Sequence, residues 1–314
     1  MKAICHIPSL ALSLKSSLKV ALNCANILAQ DCHTPAEALN AAQDIGGKER
    51  FLFFGDIADY TLANDIQNRY LQAHSVLFVS DRLHRIPDQA RSIVNAHAFV
   101  GHNGADLNIP ELIVLMNKLS YKSIFGLGHY LSEKLPTQRY TVNNRPSKDN
   151  AIDLLQESIM GFGRGMTRDK FRHHAQRISI IADELVLNAI FHANPRMCEA
   201  NRAEDFFLRE DEHVSLEWGY DGRFFGLSVS DTFGNLNRST VIKHLTGVYP
   251  KEPLEKRASG GMGLRFVFEQ ADQMIINLDP KVRTEMICLM RIHFPLKPAS
   301  REPRSFHFFF QAKP

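Results

Sequence analysis

Short apolar runs alternate with segments of helical period over about the first 130 residues. AICHI at 3–7, FLFF at 51–54, SVLFV at 75–79 and AHAFV at 96–100 have the length and composition of strands, the last three each running into Gly, Ser or Asp. Residues 10–30 carry a helical period. Pro35 to Gln43 suits a second helix, with Thr34 as N-cap and Pro35 at the first helical position. Strands alternating with helices predict a parallel sheet covered on both faces.

The pattern changes beyond residue 130. Leu131 to Asn150 is polar, contains two prolines and has no apolar period, so it reads as a linker. The expected division is a domain over 1–130, a linker over 131–150 and a second domain over 151–314. In the second domain, ISIIADELVLNAIFHA at 178–193 predicts a mostly buried helix. VSLEWGYDGRFFGLSVSD at 214–231 predicts a hairpin about Asp221-Gly222, with Asp231 at the end of its second strand. Ser259 to Leu264 (SGGMGL) opens a further helix running through Gln270. MICLMRIHF at 286–294 is a trailing strand, and the aromatic run at 304–311 is a strand that either edges the second sheet or mediates self-association, as in a homodimer.

Composition narrows the class. The 314 residues are 44% hydrophobic and 23% charged, ordinary for a globular protein. A net charge of +3, from 37 basic and 34 acidic residues, is too balanced to indicate nucleic acid or a membrane surface as partner. No apolar run reaches the roughly 18 residues of a membrane span. The five cysteines form no C-x-x-C pair, which points to a reducing, cytoplasmic setting.

The candidate chemistry lies in the second domain. Glu184, Asn188 and His192 are four apart, so on a helix they drift only about 40° per step and form one narrow polar stripe. A carboxylate and an amide among Leu185, Leu187, Ala189, Ile190 and Phe191 need hydrogen-bond or metal partners. Asp231, at the mouth of a sheet, can accept a hydrogen bond from an exocyclic amine, which adenine offers and guanine lacks at that ring position. Closely spaced glycines at a helix start let backbone N–H groups approach phosphate oxygens.

E-x-x-x-N on a helix, D-x-x-G after a hairpin and G-G-x-G-L opening a helix, in that order, resemble the N, G1 and G2 boxes of the GHKL (Bergerat-fold) superfamily, over about residues 150–295. The usual G1 box is D-x-G-x-G; here Phe233 replaces the first glycine and Gly234 comes one position late. The resemblance implies an α/β sandwich with a mixed sheet that binds ATP and Mg²⁺. Asn188 would ligate the metal, and Glu184 would be the catalytic base. Asp231 would hold the adenine with Thr284 nearby, and Gly234 would shape the pocket floor. Gly261 and Gly263, with Leu264 after them, would let a lid close over the phosphates. That lid would be Asn235 to Ser259, whose Arg238, Lys243, Lys251, Lys256 and Arg257 read individually as surface cations. His192 is either structural or a phosphate contact.

The first domain resembles a response-regulator receiver in layout, with Asp56 where the phosphoacceptor would be. Its first strand leads into Pro8 and Ser9 rather than an acidic pair, and its fifth into Gly101, His102 and Asn103 with no Lys. A degenerate receiver used for protein contacts follows, with Asp56 capping its own loop. His173 and His174 lie too close to the N box for a histidine-kinase dimerisation module. The closest resemblance is therefore to anti-sigma-factor switch kinases that act on Ser or Thr of a protein partner. The alternative is a catalytically inactive ATP-binding interaction module.

Overall fold

A computed structural model describes residues 1–45, 49–80, 97–104, 107–120, 123–131, 136–162, 168–198, 200–201, 204–246, 262–292 and 304–311. The chain is mixed α/β and divides into two compact units. Unit 1 comprises 1–124, 245–248 and 301–309; unit 2 comprises 125–244, 249–300 and 310–314.

Unit 1 contains β1 (Lys2–His6), α1 (Leu12–Cys24), β2 (Leu28–Asp31), α2 (Pro35–Ile45), β3 (Phe51–Asp56), α3 (Tyr60–Arg69), β4 (Ala73–Val79), β5 (Ala98–Gly101), α4 (Ile109–Ser120) and β11 (Ser305–Phe310). The first five strands run parallel in the order β2-β1-β3-β4-β5, the flavodoxin-like arrangement of doubly wound sheets. β3 is buried on both faces, with Phe51, Phe53 and Phe54 at 0% exposure, because helices cover the sheet on both sides. Thr34 caps α2 as expected: its hydroxyl accepts the Glu37 N–H, and Glu37 returns a bond to the His33 N–H.

Residues 10–30 are not one helix. α1 stops at Cys24 in a Schellman motif: Asn26 adopts φ 54°, its N–H reaches the Asn23 carbonyl, and the Ile27 N–H reaches that of Leu22. Asparagine enters this left-handed position more readily than most residues. The freed segment becomes β2.

The aromatic run forms β11, which pairs antiparallel with β5 through Phe306↔Phe99 and His307↔Ala98. Five of its six residues are buried, and His307 meets Glu111 of α4 at 3.0 Å with the two side chains 1% and 3% exposed. Six short aromatic-rich residues signal a buried strand but carry no mark of which sheet they join.

Unit 2 contains β6 (Gln138–Val142), α5 (Arg145–Phe162), α6 (Arg168–Asn188), β7 (Val214–Tyr220), β8 (Phe224–Asp231), α7 (Arg238–Thr246), α8 (Met262–Gln270), β9 (Gln273–Asp279) and β10 (Arg283–Arg291). The strand order is β9-β10-β8-β7-β6, and each of these pairs is antiparallel. α6 packs on α5, α8, β7 and β8. On β10, Thr284 and Met286 line the cavity described below, whereas the intervening Glu285, 1% exposed, accepts from Gly126 N–H, the Ser228 hydroxyl and the Asn277 amide. A buried carboxylate held by three donors meets the condition for burying a charge at tolerable cost.

The segment expected to be a linker is largely structured. It supplies β6, and α5 begins at Arg145 with Asn144 as its N-cap. The Asn144 Oδ1 accepts the Ser147 N–H at 2.9 Å while the Ser147 hydroxyl accepts the Asn144 N–H at 3.0 Å, a reciprocal capping box. Pro146 lies in the first turn, where a missing N–H costs nothing. It starts a helix rather than breaking one.

Candidate functional site

The predicted buried helix forms, but its last turn widens. α6 ends at Asn188, and Ala189–Ala193 continue as a π turn. Single π turns within α-helices recur at functional sites. The widening changes the stripe: Asn188 is 8% exposed and faces the cavity, whereas His192 lies at its exposed rim. Glu184, half-buried, points at the start of α8. A Cβ built on Gly263 would meet its carboxylate group, and would stand 2.8 Å from its Cγ. The pair Glu184 and Gly263 thus comes together although they are far apart in sequence.

β7 and β8 form the predicted hairpin. Asp221 accepts the Arg223 and Phe224 N–H groups at 2.9 and 2.7 Å, and Gly222 takes φ 88°. β8 delivers Asp231, 5% exposed, opposite Thr284 in the β8–β10 register. Its Oδ1 accepts the N–H groups of Phe233 at 2.8 Å and Gly234 at 3.2 Å. Burial pushes the Asp231 carboxyl up from 3.8 to about 6, against the opposing pull of hydrogen bonds from Phe233, Gly234 and Thr284.

Gly234 is fixed twice over. Its φ is 59°, and a Cβ would run into the backbone at Asp279, Lys281 (2.6 Å) and Val282 (2.5 Å). The late glycine of the motif is therefore needed at this position by geometry, and Phe233 does not prevent the loop from turning back on Asp231.

These elements enclose a cavity of about 370 Å³ within unit 2, walled by Asn188, Asp231, Leu264 and Thr284 among the predicted residues. That volume suits a small molecule or cofactor. Glu184, Gly234 and Gly263 stand beside the wall rather than in it. Gly261 lies outside the described residues, as do Lys251, Lys256 and Arg257. The sequence reading missed Asn235, Asn237, Thr240, Val241 and His244, which also line the cavity. Their signal was present. Asn237 caps α7, accepting the Ser239 N–H at 2.9 Å, and 237, 240, 241 and 244 recur at helical spacing.

The first part of the expected lid is consequently a capped helix against the cavity, and the remainder, from 247, lies outside the described residues. Arg238, expected on the surface, is 8% exposed, and burial pushes its guanidinium down to about 9. The Lys243 side chain is not described.

In unit 1, Asp56 accepts the Ala58 N–H at 2.8 Å and the Ser9 hydroxyl at 2.9 Å, capping the short turn Ile57–Asp59. No helix among the described residues is long and apolar enough to cross a membrane, and among them no cluster of three His, Cys, Asp or Glu side chains could hold a metal ion. No protein-family model and no curated protein matches this chain.

Proposed function

We propose that unit 2 is an ATP–Mg²⁺-binding module of the GHKL (Bergerat) type and that the chain acts as a switch protein on a protein partner. The observation that carries this reading is the meeting of Asn188, Asp231, Leu264 and Thr284, from four separate elements, around one cavity, with Glu184 against Gly263 beside it. Asp231, ionised above its raised pKa, would accept the exocyclic amine of adenine, with Thr284 beside it. Asn188 offers a carbonyl oxygen to the divalent ion. Glu184 would orient and deprotonate an attacking hydroxyl or water. Bound Mg²⁺–ATP supplies the terminal phosphoryl group and the charge neutralisation its transfer needs.

Unit 1 reads as a degenerate receiver-like domain that contacts partners. The β2-β1-β3-β4-β5 order supports this, and Asp56 is engaged in capping its own loop. A second reading, an ATP-binding module without turnover, is favoured by Glu184 lying beside the cavity rather than lining it.

Phosphate release from ATP, measured on the full chain with and without a captured partner, separates the readings. The kinase or ATPase reading expects Glu184→Ala to keep nucleotide binding and lose turnover, and Asn188→Ala to lose Mg²⁺-dependent binding. Binding with no turnover, even with the partner present, leaves the module reading. Absence of binding removes both.

A further inference from the structure

The cavity has two walls from elements distant in sequence. The end of α6 and its π turn bring Asn188, Ala189, His192 and Ala193; the loop after β8 brings Asp231 and Asn235. The Asn235 side-chain amide crosses between them and donates to the Ala193 carbonyl at 2.9 Å.

Each partner of this bond is held from behind. On the loop side, Gly234 is locked by its positive φ and by the backbone packed against it, and its carbonyl accepts the Lys281 N–H at 2.9 Å. On the helix side, the chain beyond the π turn is anchored at Asn194, 1% exposed, whose Oδ1 accepts the Arg196 N–H. Arg196 in turn pairs with Glu212 at 2.6 Å, which holds the Glu212 carboxyl down at about 2. Between these two fixed points lies a π turn, a marginal conformation whose last carbonyls lack helical donors. Asn235 supplies one such donor on the cavity side.

We infer that Asn235 is a positioning residue, holding the π turn against the β8 loop so that Asn188 and Asp231 face one cavity. This rests on the nucleotide reading above. It also separates two contributions that the reading alone leaves merged. The base side of the site is fixed by Asp231 and Thr284, within the sheet. The metal side is carried by Asn188 at the head of the π turn. Loosening Asn235 shifts the second and spares the first.

Calorimetric titration of the full chain with adenosine, with ADP plus Mg²⁺ and with ADP plus a chelator reads both contributions. For Asn235→Ala, adenosine affinity stays within about twofold of the unsubstituted chain, while the Mg²⁺-dependent gain in ADP affinity falls about three- to tenfold, the range of one lost hydrogen bond. Asn235→Leu, close in size but with neither donor nor charge, gives the same split and serves if the alanine variant unfolds early. A Mg²⁺ gain unchanged in both variants overturns the inference, as does a parallel fall for adenosine and Mg²⁺–ADP. An unsubstituted chain that binds none of the three ligands removes the nucleotide reading itself, and this inference with it.

Discussion

Asp231 is a carboxylate kept where water would serve it better. Its pKa is raised above the unfolded value, so the folded state binds the proton more tightly and stability falls as pH rises from 3.8 through about 6. Above that window the full cost applies, of the order of 2–3 kcal/mol. Asp231→Asn removes the charge but keeps an oxygen for the Phe233 and Gly234 N–H groups. We predict that it stabilises the nucleotide-free chain at pH 7.5 by about 1–3 kcal/mol in urea unfolding, with the gain roughly halved at pH 5, and that it weakens adenine-nucleotide binding. A destabilised variant would show that the carboxylate contributes structurally. Asn188 stood out in sequence as an amide in an apolar helical run and Asp231 as a carboxylate ending a hairpin strand, whereas Thr284 was pointed to only by the family resemblance. The burial of Arg238 was not legible, since a lone cation in a polar stretch gives no sign of which face it occupies.

Helix-scale readings succeeded where a cap or a period marked the boundary and failed where a single residue ended an element. Thr34 and Pro35 announced α2. Asn26, one left-handed residue, split the expected 10–30 helix into α1 and β2, and Pro146 opened α5 where it had read as a breaker. The π turn after Asn188 depends on tertiary contacts at both its ends, beyond the reach of local pattern. The glycine that opens α8 allows a sharper test. Gly263 sits in a helix, where alanine is intrinsically better by about 1 kcal/mol, yet its Cβ would displace the Glu184 carboxylate. That carboxylate is the end of a flexible side chain, so Gly263→Ala should change stability by less than about 1 kcal/mol and should become stabilising, by up to about 1 kcal/mol, in the background of Glu184→Ala, as a double-mutant cycle of thermal unfolding would reveal. Additive effects would mean that the two side chains do not compete for that space. Gly234→Ala has no such rescue, because backbone fills the site; a loss above about 2 kcal/mol is expected from the left-handed conformation and the clash together.

Across the whole molecule, the sequence pattern changes near residue 130 while the two units part at 124/125, and nothing in the pattern marks residues 301–309 as part of the first unit. Removing residues 304–314 should strip β11 from β5, where the Gly101 N–H bonds the Ser305 hydroxyl. Amide exchange should then rise in Ala98–Gly101, and Glu111 should lose its buried partner His307. Loss of this hydrogen bond and of the buried aromatic side chains of β11 should make the truncated chain melt earlier in unit 1. Unchanged exchange at β5 would mean that the strand contributes little. The central proposal is that the cavity of unit 2 is a nucleotide site that reads adenine through Asp231 and the metal through Asn188. Titration of the full chain with ATP and with GTP, each with Mg²⁺, tests this most directly. ATP should bind at least about tenfold more tightly, the discrimination expected when a buried acceptor is left unpaired, and Asp231→Asn should erase the difference. Equal binding of the two nucleotides, or no heat from either, would contradict it.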